Sequence, residues 1–342
     1  MKIALLGFSQ AGKKTLFSLL TGRTLRDMKP GESVEGIAPI RDERVDRLTE
    51  MYSPKKKVYA ENAFMLCPDF SGDDGEHRWL SSARKSDLIC LVLRAFESEN
   101  VYHPAGSVDP ERDRRDLVAE MLLADMQIAE KRLNRIEKER KAGLSTVQIL
   151  EEQTLKKCMT GLERENPISN LELERHEMDV LRSLELITVK PVLCVYNVSD
   201  NCLSEEYGPS TVAVSCEIER EIMTIEDQGE RREYMEAMGL KSSGLDRVNS
   251  AAYDALGLMS FYTTGKDECR AWTIRKGSTA PAAGGKVHSD IERGFIRVEI
   301  IKYDDLMDAG SEQEVKHRGK VHLKGKDYVI QDGDICHFLF NV

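Results

Sequence analysis

Near the amino terminus of this 342-residue chain, Gly7-Phe8-Ser9-Gln10-Ala11-Gly12-Lys13-Lys14-Thr15 has the G-x-x-x-x-G-K spacing of a phosphate-binding loop. In such a loop successive backbone N–H groups, together with the amino end of the following helix, point at phosphate oxygens. Gly7 and Gly12 allow the close backbone approach, Gln10 and Ala11 complete the turn, and Lys13 is placed to reach the outer phosphates. One residue departs from the pattern. Lys14 stands where a Ser or Thr hydroxyl ligates magnesium. Thr15 is no substitute, because its neighbour on a helix points about 100° away. The Lys14 ammonium can neutralise phosphate charge directly, yet it cannot supply octahedral oxygen ligation. Magnesium offsets charge in phosphoryl transfer, so nucleotide binding is expected to survive better than turnover.

Two further segments could complete such a site. Asp69-Phe70-Ser71-Gly72 has the D-x-x-G form, in which Asp69 holds a magnesium ion through water and the Gly72 N–H senses the terminal phosphate. Asn197-Val198-Ser199-Asp200 lies where guanine-specific proteins carry N-K-x-D. Val198 replaces the stacking Lys, while Asp200 keeps a base-edge acceptor. Ser215-Cys216-Glu217 occupies the place of a last base-contacting loop. Each segment also reads simply as a polar turn after a strand. No residue is assigned a catalytic role, and the seven dispersed histidines read as surface or packing residues.

A phosphate loop works only between a buried strand and a helix. Residues 2–8 are an apolar run that reads as the strand, and residues 13–20 continue as the helix. Apolar runs at 63–67, 88–93, 191–197 and 211–215 lack period-two alternation, as expected of strands covered on both faces. They outline a doubly wound α/β domain over 1–112 and 187–258. From Asp116 the apolar positions Ala119, Leu122, Met126, Ala129, Leu133 and Ile136 recur at alternating steps of three and four. Gly143 breaks this helix, and a second carries Leu155, Cys158 and Leu162 on one stripe. An inserted helical hairpin over 113–186 accounts for the pattern; two surface helices packed on the sheet are the plainer alternative. Beyond it, 271–274, 295–301, 320–323, 328–330 and 337–340 alternate like strands between glycine-rich turns, a small α+β domain over 259–342.

The net charge of −10 argues against indiscriminate nucleic-acid binding but leaves room for a local basic face. No stretch approaches about 18 uninterrupted apolar residues, so no membrane association is expected. The opening apolar run is too short for a secretory signal and leads into the glycine loop. Eight scattered cysteines without a C-x-x-C pair fit reduced thiols in a cytoplasmic protein better than disulfides or zinc.

Gly294-Phe295-Ile296-Arg297, the segment from Gly325 to Asp334, and Phe340-Asn341-Val342 resemble the carboxy-terminal end of the YchF family, the Obg-like ATPases. The likeness extends upstream through Ser243-Gly244-Leu245-Asp246-Arg247, Lys190-Pro191-Val192-Leu193 and the stretch from His103 to Pro110. The resemblance implies a P-loop NTPase (Ras-like) domain, an inserted coiled-coil hairpin and a carboxy-terminal β-grasp (TGS) domain. It also implies a preference for ATP in many members and association with ribosomes. ATP or GTP is the expected ligand, the expected partner is a ribosome or RNA reached through the TGS domain and hairpin, and the chain is expected to be a monomer. Departures from the family pattern cluster around the terminal phosphate. Gln10-Ala11 replaces Asn-Val, Lys14 replaces Ser, and Pro30-Gly31-Glu32, at the place of the first-switch Thr, contains no hydroxyl. Asp73 replaces a hydrophobic residue, the second switch is shorter between Gly72 and Asp87, and Asp200 replaces the usual Glu. Slow or absent hydrolysis is the expectation, with an active magnesium-dependent ATPase or a GTPase switch as alternatives. A basic alternation of Lys320, His322, Lys324 and Lys326 reads either as an RNA face or as a solvated strand.

Overall fold

Parallel strands must be covered by crossover helices on both faces, and the apolar runs of this chain meet that demand. The computed structural model describes all residues except 27, 30, 71–77, 204–206 and 342. The chain divides into two compact units, 1–36 with 63–252, and 37–62 with 253–342.

In one sheet β1 (Lys2–Leu6), β4 (Ala60–Leu66), β5 (Leu88–Ala95), β6 (Val192–Val198) and β7 (Thr211–Val214) run parallel. With β2 (Val34–Ile40) at one edge, the order is β2-β4-β1-β5-β6-β7. Every residue of β5 from Leu88 to Arg94 is buried, which explains why its sequence does not alternate. The winding reverses between β1 and β5, and a crevice opens beyond the carboxyl ends of adjacent strands at such a reversal. Helix α1 (Lys13–Thr21) leaves that end of β1, buries Leu16, Phe17 and Leu20, and stops at Gly22. Helix α3 (Arg78–Arg84) precedes β5.

Helix α4 (Pro110–Glu139) starts earlier than the apolar spacing from Asp116 implied. Asp109 caps it by accepting from the Arg112 N–H at 3.0 Å, and Pro110 opens its first turn. Its first half covers the sheet: Leu117 and Met121 join the core of Ile89, Leu91 and Trp79. Its second half pairs with α5 (Thr146–Leu162), burying Leu122, Ala129 and Ile136 with Leu155, Cys158 and Leu162. Ala119, expected on that stripe, is exposed, because Leu117 and Met121 fix which face of this stretch meets the sheet. Arg132 forks onto Glu151 at 2.6–2.7 Å, so the pair is antiparallel with charged flanks. Asp125, fully buried on α4, accepts from the Ile187 and Thr188 N–H groups and the Thr188 hydroxyl, fixing the exit of the insertion. The short α6 (Arg175–Leu181) packs on α5.

The second unit takes up β3 (Lys56–Val58), which pairs in parallel with β9 (Glu268–Arg275). Its sheet runs β11-β10-β12-β8-β9-β3, with β8 (Leu258–Thr263), β10 (Phe295–Lys302), β11 (His322–Lys324) and β12 (Asp334–Phe340). Phe261, Val298, Ile300 and Phe338 form its core under the helix Ala280–Val287. Residues 37–62, read from the sequence as part of the nucleotide domain, cluster with this unit. Residues 328–330, expected as a strand, make only an isolated bridge from Val329 to Thr279. Buried Asp334 holds this segment instead, accepting from the Tyr328 hydroxyl and the Gln331 N–H, both at 2.9 Å. Among the described residues no helix is long and apolar enough to cross a membrane.

Asp42 caps α2 (Glu43–Tyr52), receives a fork from Arg44 and accepts from the Tyr262 hydroxyl. Burial alone would raise this carboxyl, but the bonds from Arg44 and Tyr262 outweigh it and hold it below the usual range. A carboxyl lowered on folding stabilises fully above its unfolded value and loses that contribution as pH falls through the lower folded value. Asp42→Ala is therefore expected to cost roughly 2–3 kcal/mol near neutrality in urea unfolding, from the lost cap and bonds. The deficit should shrink when the titration is repeated below about pH 4.

Candidate functional site

Gly7 and Gly12 are required by close approach. A Cβ on Gly7 would lie 2.4 Å from the Val92 carbonyl oxygen, and one on Gly12 would lie 2.3 Å from the Asn197 side-chain amide. Gly12 sits at φ 97 and offers α1 no side-chain cap, and the first turn of α1 carries no acidic residue. That amino end therefore keeps its N–H groups and partial positive charge for an anion. Gln10 adopts φ 63, a left-handed conformation that is uncommon outside Gly, Asn and Asp.

Lys13 is 2% exposed and donates to the Gly7 carbonyl at 2.6 Å, the Phe8 carbonyl at 2.7 Å and Asp69 Oδ1 at 2.6 Å. Burial lowers its pKa, and the Asp69 carboxylate opposes that shift without cancelling it. The ion pair joins the phosphate loop directly to the second motif. Lys14 is exposed beside it and has no ion-pair partner among the described residues. Gly72, Asp73 and Pro30 lie outside the described residues.

Asn197, expected at the base, is engaged within the protein. Its amide donates to the Ala11 carbonyl at 3.2 Å, and its side-chain oxygen accepts from the Cys216 N–H at 3.1 Å. It staples the phosphate loop to the turn that starts α7 (Cys216–Thr224). Ser215 caps α7 and donates to Asp200 at 2.8 Å, which leaves Asp200 at the surface. Val198 is buried in the core that includes Tyr196 and Ala213. Cys216 is buried too, and burial pushes its thiol up to about 12. Farther along the chain α7 is followed by α8 (Gln228–Ala237), and Glu219 of α7 holds the N–H of Gly244 at the start of α9 (Gly244–Ala255).

These elements enclose one cleft of about 610 Å³, lined by the phosphate loop, Asp69, the 197–200 turn and the 215–217 turn. The wall also includes Phe96, Glu97, Ser98 and Val101 after β5, and Arg220 on α7, none of which sequence reasoning singled out. Arg94, fully buried, donates to the Phe96 carbonyl and lies 4.7 Å from the ring centre, which fixes that wall. Phe96 directly follows the apolar run of β5, the strand beside β1. Its place at a strand end was the available signal.

Over 362 aligned residues the chain is 36% identical to a protein named Ribosome-binding ATPase YchF from Bacillus subtilis (strain 168), covering 99% of this chain and 98% of that one. The chain belongs to the YchF family. A protein of the same name from Escherichia coli O157:H7 is 33% identical, with 100% and 99% covered. The structure of the Schizosaccharomyces pombe YchF GTPase superposes with a TM-score of 0.85 at 30% identity, over 99% of this chain and 97% of that one. The fold is that of a P-loop GTPase. A family model called YchF-GTPase_C, described as a protein of unknown function, matches residues 258–341.

In this YchF-family chain, Asn197→Ala would leave the Ala11 carbonyl and Cys216 N–H without their partner. The expected cost is roughly 2–3 kcal/mol, with faster amide exchange confined to the phosphate loop and the start of α7. Cys216 and Cys67, both raised to about 12 by burial, should resist a thiol reagent at pH 8 until the chain is unfolded.

Proposed function

We propose that this chain binds a purine nucleotide, ATP or GTP, in the cleft above α1, hydrolyses it slowly or not at all, and works as a ribosome- or RNA-associated adaptor. Gly7, Gln10, Ala11, Gly12, Lys14, Thr15 and Gly72 would receive the phosphates, with Lys13 shaping the loop that presents them. Asp200, Ser215 and Cys216 would border the base, with Asn197 and Val198 holding that wall in place. The ribosome enters this reading because the curated relatives carry ribosome-binding in their names. Residues 113–186 and 259–342 would serve as a coiled-coil hairpin and a TGS domain facing that partner.

The observation that carries the reading is the pairing of Lys13 with Asp69 at 2.6 Å beside an exposed Lys14. The carboxylate expected to hold the metal's water is engaged by the loop lysine, and the expected hydroxyl ligand is a cation. The second reading, an active magnesium-dependent ATPase, draws support from the ATPase named in the relatives and requires rearranged ligation around Asp69.

Single-turnover hydrolysis of ATP and GTP in excess magnesium tests the choice. The adaptor reading predicts a rate at least about tenfold below that of Lys14→Ser, a difference of about 1.4 kcal/mol in barrier. Turnover by the parent at an ordinary ATPase rate, undiminished relative to Lys14→Ser, would establish the ATPase instead.

A further inference from the structure

Magnesium is implied by the fold family, and the donor set can be tested against it. A divalent cation at a phosphate loop needs a hydroxyl from the first helical turn and a carboxylate reached through water. The hydroxyl position is Lys14, whose ammonium repels a second cation. The carboxylate, Asp69, lies 2.6 Å from Lys13 Nζ and would have to abandon that pair. The residues do not fit magnesium.

They do fit an anion held without one. An ammonium has three donors, and those of Lys13 are taken by Gly7, Phe8 and Asp69. Lys13 is thus committed to shaping the loop. Lys14 is exposed on the cleft wall, unpaired among the described residues, and close enough that its charge opposes protonation of Lys13. The uncapped amino end of α1, free of acidic side chains, supplies the remaining donors.

We infer that this site binds its nucleotide independently of divalent metal, with the Lys14 ammonium meeting the phosphate charge that magnesium meets elsewhere. The inference rests on the nucleotide-binding reading and adds to it the ionic form of the ligand: free ATP or ADP anions, not their magnesium complexes.

Calorimetric titration of the full chain with ATP and with ADP, once in magnesium and once in EDTA, tests it beside Lys14→Ser and Lys14→Gln. Lys14 is exposed, so neither variant threatens the fold, and thermal unfolding checks this. The parent should keep its affinity within about threefold on chelation. Lys14→Gln should lose at least about tenfold in EDTA, a charge-assisted contact having been removed. Lys14→Ser should be equally weak in EDTA and recover when magnesium is added. A parent that loses tenfold or more in EDTA, or a Lys14→Gln variant that binds like the parent there, overturns the inference. Absence of binding by the parent in both buffers overturns the nucleotide reading itself.

Discussion

The ammonium of Lys13 is the tie on which the site depends. Buried and clamped between two loop carbonyls and Asp69, it holds the phosphate loop closed around its own backbone. A lysine taken out of water is tolerated only with its donors satisfied, and this one satisfies all of them inside the protein. The loop is therefore preformed. Its inward cation is committed, and the charge left for a ligand lies one residue farther along, on Lys14. A single substitution in the sequence acquires its meaning from that geometry.

The scaffold exists to make this clamp possible. Gly7 passes against the Val92 carbonyl, and Gly12 passes against Asn197, at distances that exclude any side chain. Asn197 then ties the loop to α7, while Arg94 fixes Phe96 on the opposite wall. These positions sit at the carboxyl ends of β1, β5 and β6, neighbours in the sheet. Packing of the strands and order of the cleft are in this sense one property. The helical insertion grows from the same frame, since α4 covers the sheet with Leu117 and Met121 before it pairs with α5.

Features encoded by neighbouring residues were legible in the sequence. The strand and helix on either side of the glycine loop, the other buried strands and the stripe of Leu155, Cys158 and Leu162 follow from local spacing and came out as read. Features set by distant partners were less legible. Residues 37–62 lie with the carboxy-terminal unit because β3 pairs with β9, a contact across some two hundred residues. Residues 328–330 alternate like a strand, yet their backbone meets residues 278–280 in an isolated bridge, while Asp334 takes the Tyr328 hydroxyl and the Gln331 N–H. Asn197 bears the residue type of a base reader, but both ends of its amide are used within the fold. Phe96 carried no motif, and only the neighbouring of β5 with β1 brings it to the cleft.

The account stands on where the phosphate charge is met. The crystal structure of the nucleotide complex, grown in excess magnesium, measures this directly. The account predicts Lys14 Nζ within about 3 Å of a phosphate oxygen, Lys13 still paired with Asp69, and no octahedral density between the outer phosphates. A magnesium ion there, served by Asp69 with Lys14 turned to solvent, would contradict it.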